Sequence, residues 1–331
     1  MRIGILGAGR IGAFHARALA ADPLVSELTI TDTDQRRAER LADELRARHA
    51  ASAQELVAAG VDALVIATAT PAHAPLLHLA ADARLPAFCE KPIALDLDTT
   101  DDVLEHVAAT GILLQVGFQR RFDPGYLAAR QAVRSGALGE LSLVRVTGHD
   151  PEPPPEEYVA ASGGMWRDLL IHDFDVVPWV VGEDIVEVYA EGTARSEMFD
   201  RYNDVDTAAA VLRFSSGLLG VVSGSRHDPL GYDIRLEVFG SRDSIAVGLD
   251  ERTPLRSVEP NVARRPQRGY RDFMERFATA YTAELHAFLE AVRDGLPSPC
   301  GGQAARQALR LALVAERSRA QHRPVAVWEI G

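Results

Sequence analysis

The chain begins with Arg2-Ile3-Gly4-Ile5-Leu6-Gly7-Ala8-Gly9-Arg10-Ile11-Gly12, in which a short apolar run meets the pattern Gly-x-Gly-x-x-Gly and a helical pattern follows. Gly7 permits a tight turn out of a strand, Gly9 lets backbone amides approach a pyrophosphate, and Gly12 lets the next helix pack closely on the sheet. The first amides and the dipole of that helix would face the anion. Because strand, loop and helix follow in the required order, the stretch predicts a dinucleotide-binding fold. A glycine turn that holds no ligand is the alternative.

A second apolar run, residues 28–31, ends at Asp32, about twenty residues beyond Gly12. A carboxylate at this point would accept hydrogen bonds from the adenosine ribose and would repel a 2′-phosphate. We expect NAD as the cofactor for this reason. Arg36 and Arg37 follow closely, so that use of NADP stays open.

The composition is that of a globular protein and argues against several classes of function. The chain has 331 residues, 47% of them hydrophobic and 25% charged, with a formal net charge of −12. Nucleic acid and anionic membrane surfaces are therefore not expected as partners. The two cysteines make no disulfide framework, and the first residues enter a strand directly, which leaves no room for a signal peptide. We expect a cytoplasmic protein with a small-molecule partner.

Strand-like and helix-like segments alternate up to about residue 118, and this order predicts a doubly wound parallel sheet of the Rossmann type. After the first strand, further strands are predicted at residues 28–31, 48–50, 62–68, 86–90 and 112–117, and helices at 13–20, 35–46, 53–59, 71–84 and 98–109. We expect residues 1–120 to form this nucleotide-binding domain.

Strands dominate the second part of the chain, residues 121–331, which we expect to be an α/β domain with an open, largely antiparallel sheet. Its strands are predicted at residues 141–147, 185–192, 207–214, 218–225, 234–239 and 244–247. A helix at 122–134 precedes them, and the only helix among them is predicted at about 167–177, ahead of Pro178. Ser215-Ser216-Gly217 predicts a hairpin turn. Two late helices, 273–293 and 303–321, are expected to pack back on the first domain.

Ligands of a doubly wound sheet lie beyond the carboxyl ends of its strands. Residues 68–73 follow one predicted strand, and Glu90-Lys91-Pro92 follow the next, so that Lys91 would point into the ligand crevice. A solvated surface lysine is the alternative for Lys91. The residues expected to contact the cofactor are Gly7, Ala8, Gly9, Arg10, Ile11, Gly12, Asp32, Thr68, Thr70, His73, Glu90, Lys91 and Gln119.

A second informative run covers residues 162–175, Ser-Gly-Gly-Met-Trp-Arg-Asp-Leu-Leu-Ile-His-Asp-Phe-Asp. In a helix, Asp168 and His172 would share a face, and Asp175 could share it too. A histidine oriented by a carboxylate can accept a proton from a sugar-like hydroxyl near neutral pH. A structural histidine bonded to Asp168 is one alternative. A second alternative is that Asp168 and His172 are two ligands of a metal ion, but no further ligands stand nearby in the sequence, and we predict no metal. A third is a Ser-His-Asp hydrolase, but the sequence has no nucleophile elbow between a strand and a helix.

Together these motifs resemble the glucose-fructose oxidoreductase/inositol dehydrogenase (Gfo/Idh/MocA) family. The resemblance rests on the glycine loop with His15, on Glu90-Lys91-Pro92, and on Gly163-Gly164 followed by Asp168-x-x-x-His172-Asp173-x-Asp175. Three further segments, residues 117–124, 150–155 and 231–240, are similar to the inositol 2-dehydrogenase branch. The chain departs from that branch at Gln119 and at His149-Asp150-Pro151.

The resemblance implies an NAD-dependent oxidation of a secondary alcohol of a cyclic polyol, with myo-inositol to 2-keto-myo-inositol (scyllo-inosose), a step of inositol catabolism, as the expected reaction. It implies Lys91, Asp168 and His172 as the catalytic group, and homodimers or homotetramers assembled through the open sheet. The residues expected to meet substrate hydroxyls are Arg120, Asp150, Asp168, His172, Asp175 and Tyr232. The alternatives are a pyranose or anhydrosugar dehydrogenase, a non-catalytic dinucleotide sensor, and a glycoside-cleaving enzyme that uses NAD transiently.

Overall fold

A computed structural model describes residues 1–261 and 268–331 of the chain, which divides into two compact units. Unit 1 comprises Met1–Gln119 and Thr279–Arg306, and unit 2 comprises Arg120–Ala278 and Gln307–Gly331. Part of the late helical region therefore belongs to the same unit as the N-terminal residues.

The strands are β1 Arg2–Leu6, β2 Glu27–Thr31, β3 Arg48–His49, β4 Ala63–Ile66, β5 Ala87–Glu90, β6 Leu114–Gly117, β7 Leu141–His149, β8 Ile185–Thr193, β9 Thr207–Phe214, β10 Leu219–Ser225, β11 Asp233–Gly240, β12 Ser244–Val247 and β13 Val325–Ala326. The α-helices are α1 Arg10–Ala20, α2 Gln35–Leu45, α3 Ala53–Ala58, α4 His73–Asp82, α5 Leu97–Thr110, α6 Pro124–Arg134, α7 Glu156–Ala161, α8 Met165–Asp168, α9 Ile171–Val181, α10 Glu197–Arg201, α11 Phe273–Asp294 and α12 Gly302–Gln321. Short 3-10 turns cover Thr70–Ala72, Gln119–Phe122 and Val327–Glu329.

Unit 1 is built on a six-stranded parallel sheet with the strand order β3-β2-β1-β4-β5-β6. Every residue of β4 and β5 is buried, as expected for strands that are covered on both faces. The core of this unit includes Phe88 of β5 together with Leu285, Phe288 and Leu289 of α11. The predicted doubly wound parallel sheet is confirmed.

Unit 2 is built on a seven-stranded sheet with the order β12-β11-β7-β10-β9-β8-β13. All neighbouring strands are antiparallel except β7 and β10, which run parallel. The residues of β9 alternate strictly between exposed and buried, so that one face of the sheet packs inward and the other stays open. The largely antiparallel open sheet and the hairpin between β9 and β10 are confirmed.

Two expectations for unit 2 are wrong. Residues 167–177 do not form a single helix: α8 ends at Asp168, and α9 begins at Ile171 and continues through Pro178 to Val181. Eight of the eleven residues of α9 are buried, and we attribute the tolerance of Pro178 to this packing. The helices α7 and α10 also interrupt the strands, and they are too short to produce a helical sequence pattern.

Within residues 1–261 and 268–331, no helix is both long enough and apolar enough to cross a membrane.

Candidate active site

The turn between β1 and α1 leaves no room for side chains. Gly7 adopts a φ of +105°, and a Cβ atom at this residue would lie 2.5 Å from the carbonyl oxygen of Ala67. A Cβ atom on Gly12 would lie 2.0 Å from the carbonyl oxygen of Gly7. The strand, the loop and the helix therefore pack backbone against backbone, and only glycine satisfies both positions.

The geometry of this turn fits a dinucleotide. Gly9 is the N-cap of α1, and no side chain of the described residues caps the helix, so that its first amides can bind an anion. Apart from Gly9 and the chain next to it, no described atom lies within 4 Å of the position of a Cβ atom on Gly9, which leaves space for the pyrophosphate. Asp32 follows β2, and its Oδ2 accepts a hydrogen bond from the amide of Ala8 at 2.6 Å. This bond fixes the carboxylate beside the glycine loop.

A buried histidine connects the ends of β4 and β5. His73 Nδ1 lies 2.7 Å from the carbonyl oxygen of Pro92, and His73 Nε2 lies 3.1 Å from the carbonyl oxygen of Thr68. Burial lowers the pKa of His73, although both carbonyls oppose the shift. The imidazole therefore holds together two of the segments that were predicted to contact the cofactor.

Glu90, the last residue of β5, is bonded to the glycine-loop helix. Its Oε1 lies 2.6 Å from Nε2 of His15, which is fully buried in α1. This contact fixes the strand end that is followed by the half-buried Lys91. The Oγ1 of Thr68 and the Oε1 of Gln119 are also buried, and they have no hydrogen-bond partner among the described residues.

In unit 2, a buried arginine joins two of the predicted site residues. Arg226 Nη1 donates to Asp150 Oδ2 at 2.5 Å, and Arg226 Nη2 donates to Asp168 Oδ2 at 2.8 Å. The hydroxyl of Tyr158 donates to the other oxygen of Asp168 at 2.8 Å. Burial by itself lowers the pKa of Arg226, but the charges of Asp168 and Asp150 outweigh it and raise that pKa. Asp168 is therefore bound by groups from two other segments.

Sequence reasoning did not identify Arg226 or Tyr158. Arg226 comes directly after β10, and Asp150 comes directly after β7. A polar residue at a strand end was a usable signal, but the parallel pairing of these two strands was not predictable from the sequence.

Three other residues predicted to meet the substrate lie in the interior of unit 2. Arg120 donates from Nη1 to Asp173, and Asp175 accepts two hydrogen bonds from Arg121 at 2.6 and 2.8 Å. Tyr232 is only 4% exposed, and burial raises its pKa above the ordinary value. Their roles in substrate binding stay predictions. His172, one residue into α9, is half-buried.

One cluster has the composition of a metal site. His149, Asp228 and Asp233 place ligand-type atoms within 4.8 Å of one another. Arg235, however, donates to both carboxylate oxygens of Asp233 at 2.8 and 3.0 Å, which neutralises that carboxylate. We assign no metal role to this cluster.

Comparison with known proteins identifies both units. Residues 1–118 match the family described as "Oxidoreductase family, NAD-binding Rossmann fold", and residues 126–246 match the GFO/IDH/MocA C-terminal domain. The chain belongs to the GFO/IDH/MocA oxidoreductase family. The family resemblance that was inferred from the sequence motifs is confirmed, as is NAD as the cofactor of its nucleotide-binding domain.

Individual members of the family resemble the whole chain. A myo-inositol dehydrogenase (Hyg17) of Streptomyces leeuwenhoekii is 41% identical over 96% of this chain and 97% of its own. The crystal structure of a probable dehydrogenase from Thermotoga maritima superimposes with a TM-score of 0.93 at 35% identity over 100% of both chains. The structure of scyllo-inositol dehydrogenase from Lactobacillus casei with bound NAD(H) and scyllo-inositol has a TM-score of 0.90 at 26% identity, covering 99% of each chain.

The His73 contact predicts a pH dependence of stability. Because the pKa of His73 is lowered from 6.5 in the folded chain, the unfolded chain binds a proton first, and stability falls as the pH drops below about 6.5. We expect His73→Gln to weaken this fall by up to about 1.4 kcal/mol per pH unit. Chemical unfolding of both proteins at about pH 7.5 and about pH 5.5 measures the effect.

His322→Gln is the matched control. The His322 side chain is 75% exposed, whereas His73 is buried, and His322 belongs to unit 2 instead of unit 1. Identical pH dependence in the parent protein and in His73→Gln would contradict the prediction.

Proposed function

We propose that this chain oxidises one secondary hydroxyl of a cyclic polyol to the ketone, with myo-inositol as substrate and 2-keto-myo-inositol as product. The observation that carries the proposal is the full-length likeness to family members named as inositol dehydrogenases, one of them solved with NAD(H) and scyllo-inositol. The glycine turn after β1 and the buried carboxylate of Asp168 support the proposal, because such a reaction needs a site for the cofactor and polar groups for the substrate.

We assign catalytic roles to three residues, His172, Lys91 and Asp168. His172 accepts the proton of the reacting hydroxyl, because a histidine side chain can act as a general base near neutral pH. Lys91 is assigned as a hydrogen-bond donor to a hydroxyl of the substrate. Asp168, held by Arg226 and Tyr158, orients His172 or a neighbouring hydroxyl of the substrate. When bound, NAD supplies the acceptor for the hydride.

The first test is NAD-dependent formation of NADH with a panel of polyols: myo-, scyllo- and chiro-inositol, glucose and xylose. We expect turnover with an inositol, and His172→Ala should lower kcat about 10²-fold or more while NAD still binds. The physical reason is that the hydroxyl loses its proton acceptor but the cofactor loses no contact. Steady-state kinetics and calorimetric NAD binding measure the two effects.

His322→Ala, a change at an exposed histidine, serves as the control and should leave kcat unchanged. Absence of NADH formation with every inositol would overturn the proposed function. Full turnover in His172→Ala would remove only His172 from the mechanism.

The preference for NAD over NADP is assigned to Asp32. Its carboxylate is 9% exposed and held by the amide of Ala8, although Arg37 Nη1 lies 3.8 Å from Oδ2. Loss of charged hydrogen bonds to a ribose costs about 1.5–3 kcal/mol, so that Asp32→Ala should weaken NAD about 10- to 100-fold. Binding of NADP should weaken less, because the repulsion of the 2′-phosphate disappears as well.

Calorimetric titration of both cofactors measures this shift, with Glu39→Ala, an exposed carboxylate change on α2, as the control. A parent protein that already prefers NADP would contradict the assignment.

We further propose that the chain assembles into a homo-oligomer, a dimer or a tetramer, through the open face of the seven-stranded sheet. Tyr189 and Val211 are directly paired on this face, and they are 38% and 45% exposed. Leu219 of the neighbouring strand is 46% exposed. An apolar area of this kind on a sheet face is typical of an interface, and an isologous contact would bury it against its own copy.

Val211→Glu should therefore release monomers, because two-fold packing would place the new charges in an apolar contact. Size-exclusion chromatography with light scattering distinguishes the species. Leu127→Glu on α6, at an equally exposed leucine, should leave the assembly intact. A monomeric parent protein would exclude the proposed interface.

A cytoplasmic location and a place in inositol catabolism complete the proposal. Cys89 and Cys300 are buried thiols outside any disulfide, which suits a reducing compartment. Growth on inositol after deletion of the coding sequence would test the catabolic role.

A further inference from the structure

The backbone of unit 2 places Arg226 at a fixed point beside the predicted catalytic carboxylate. The parallel strands β7 and β10 end together, with His149 opposite Ser225. The amide of Asp150 donates to the carbonyl oxygen of Ser225 at 2.8 Å, and the amide of Arg226 donates to that of Asp206 at 2.8 Å. The backbone at Arg226 is therefore fixed by hydrogen bonds to two neighbouring segments, at Asp150 and at Asp206.

The guanidinium of Arg226 is shared between two carboxylates that belong to different segments. Its side chain is 5% exposed, and those of Asp150 and Asp168 are 19% and 9% exposed. A planar guanidinium donates in fixed directions, so that binding Asp150 at one terminal nitrogen sets the direction of the other. Asp150 thus orients Arg226, and Arg226 in turn orients Asp168.

Asp168 lies at the end of a short helix and receives hydrogen bonds from two other segments. It is the last residue of α8, and α9 starts three residues later. Its two carboxylate oxygens are bound by Arg226 from the sheet edge and by Tyr158 from α7. A lysine at position 226 would carry the charge but could not bridge both carboxylates in this geometry.

We propose that Arg226 is a positioning residue for polyol oxidation, which acts through Asp168 by fixing the orientation of that carboxylate. This inference rests on the proposed function, in which Asp168 orients His172 or the substrate. It adds a residue that does not touch the reacting atoms, and it makes Asp150 the outer support of the same chain of contacts.

The test is a double-mutant cycle with Arg226→Met and Asp168→Asn, assayed with the inositol that the parent protein oxidises. A misplaced catalytic group can cost about 10²-fold in rate, and we expect this loss of kcat in Arg226→Met with the Kd for NAD unchanged. In the Asp168→Asn background, Arg226→Met should change kcat by less than about threefold, because the two residues act through one contact.

Arg276→Met is the matched control. Arg276 donates to Asp123 at 2.9 Å, and the side chains of this pair are 12% and 8% exposed, so the change also breaks a buried ion pair in unit 2. It should lower the melting temperature as Arg226→Met does, yet leave kcat unchanged. A merely structural role of Arg226 would give the two variants the same kinetics.

Arg226→Lys provides the second measurement if Arg226→Met does not fold. We expect a kcat between those of the parent and of Asp168→Asn, since lysine restores the positive charge but not the planar guanidinium that donates to both carboxylates. Parent-level kcat in either folded Arg226 variant, or a loss that multiplies fully with that of Asp168→Asn, would overturn the inference. Absence of inositol oxidation by the parent protein would instead overturn the proposed function, and this assay comes first.

Discussion

Parallel pairing of neighbouring strands determines which loop residues of this chain come together, because parallel strands end at the same edge of a sheet. In unit 1 this constraint gathers the glycine turn after β1, Asp32 after β2, and the segments after β4 and β5. Among the described strands of unit 2, only β7 and β10 are parallel neighbours, and they bring Asp150 and Arg226 together. The glycine turn, Asp32, Asp150 and Arg226 therefore all lie at the carboxyl ends of parallel strands.

Close contact of the backbone makes the edge of unit 1 rigid. Gly12 lies so near Gly7 that an added Cβ atom would be 2.0 Å from a carbonyl oxygen, and the helix starts at a fixed distance from the sheet. His15 and His73 extend this order to the neighbouring strands, through Glu90 and through the carbonyls of Thr68 and Pro92. Binding of a dinucleotide therefore needs little rearrangement of this edge, which favours affinity.

Buried charges organise unit 2. Three arginines, Arg120, Arg121 and Arg226, each bind a carboxylate of the segment from Asp168 to Asp175. Breaking such a pair leaves an uncompensated buried charge and is costly, so these pairs restrict the segment to one arrangement. Asp168 differs from Asp173 and Asp175 in being supported from two sides, by Arg226 and by Tyr158. This difference supports the role that we propose for Asp168.

The amino-acid sequence alone determined the fold class, the NAD-binding loop and the family, because glycine spacing and apolar runs are local patterns with direct physical meaning. It did not determine the break between α8 and α9 or the passage of the helix through Pro178, since burial of α9 in the core outweighs the local signals there. The sequence also did not indicate the hydrogen-bond partners of Asp168. Arg226 stands 58 residues further along the chain, and only the parallel pairing of β7 with β10 brings it to the carboxylate. Contacts of that sequence separation depend on how strands pair in space, which only the tertiary structure decided.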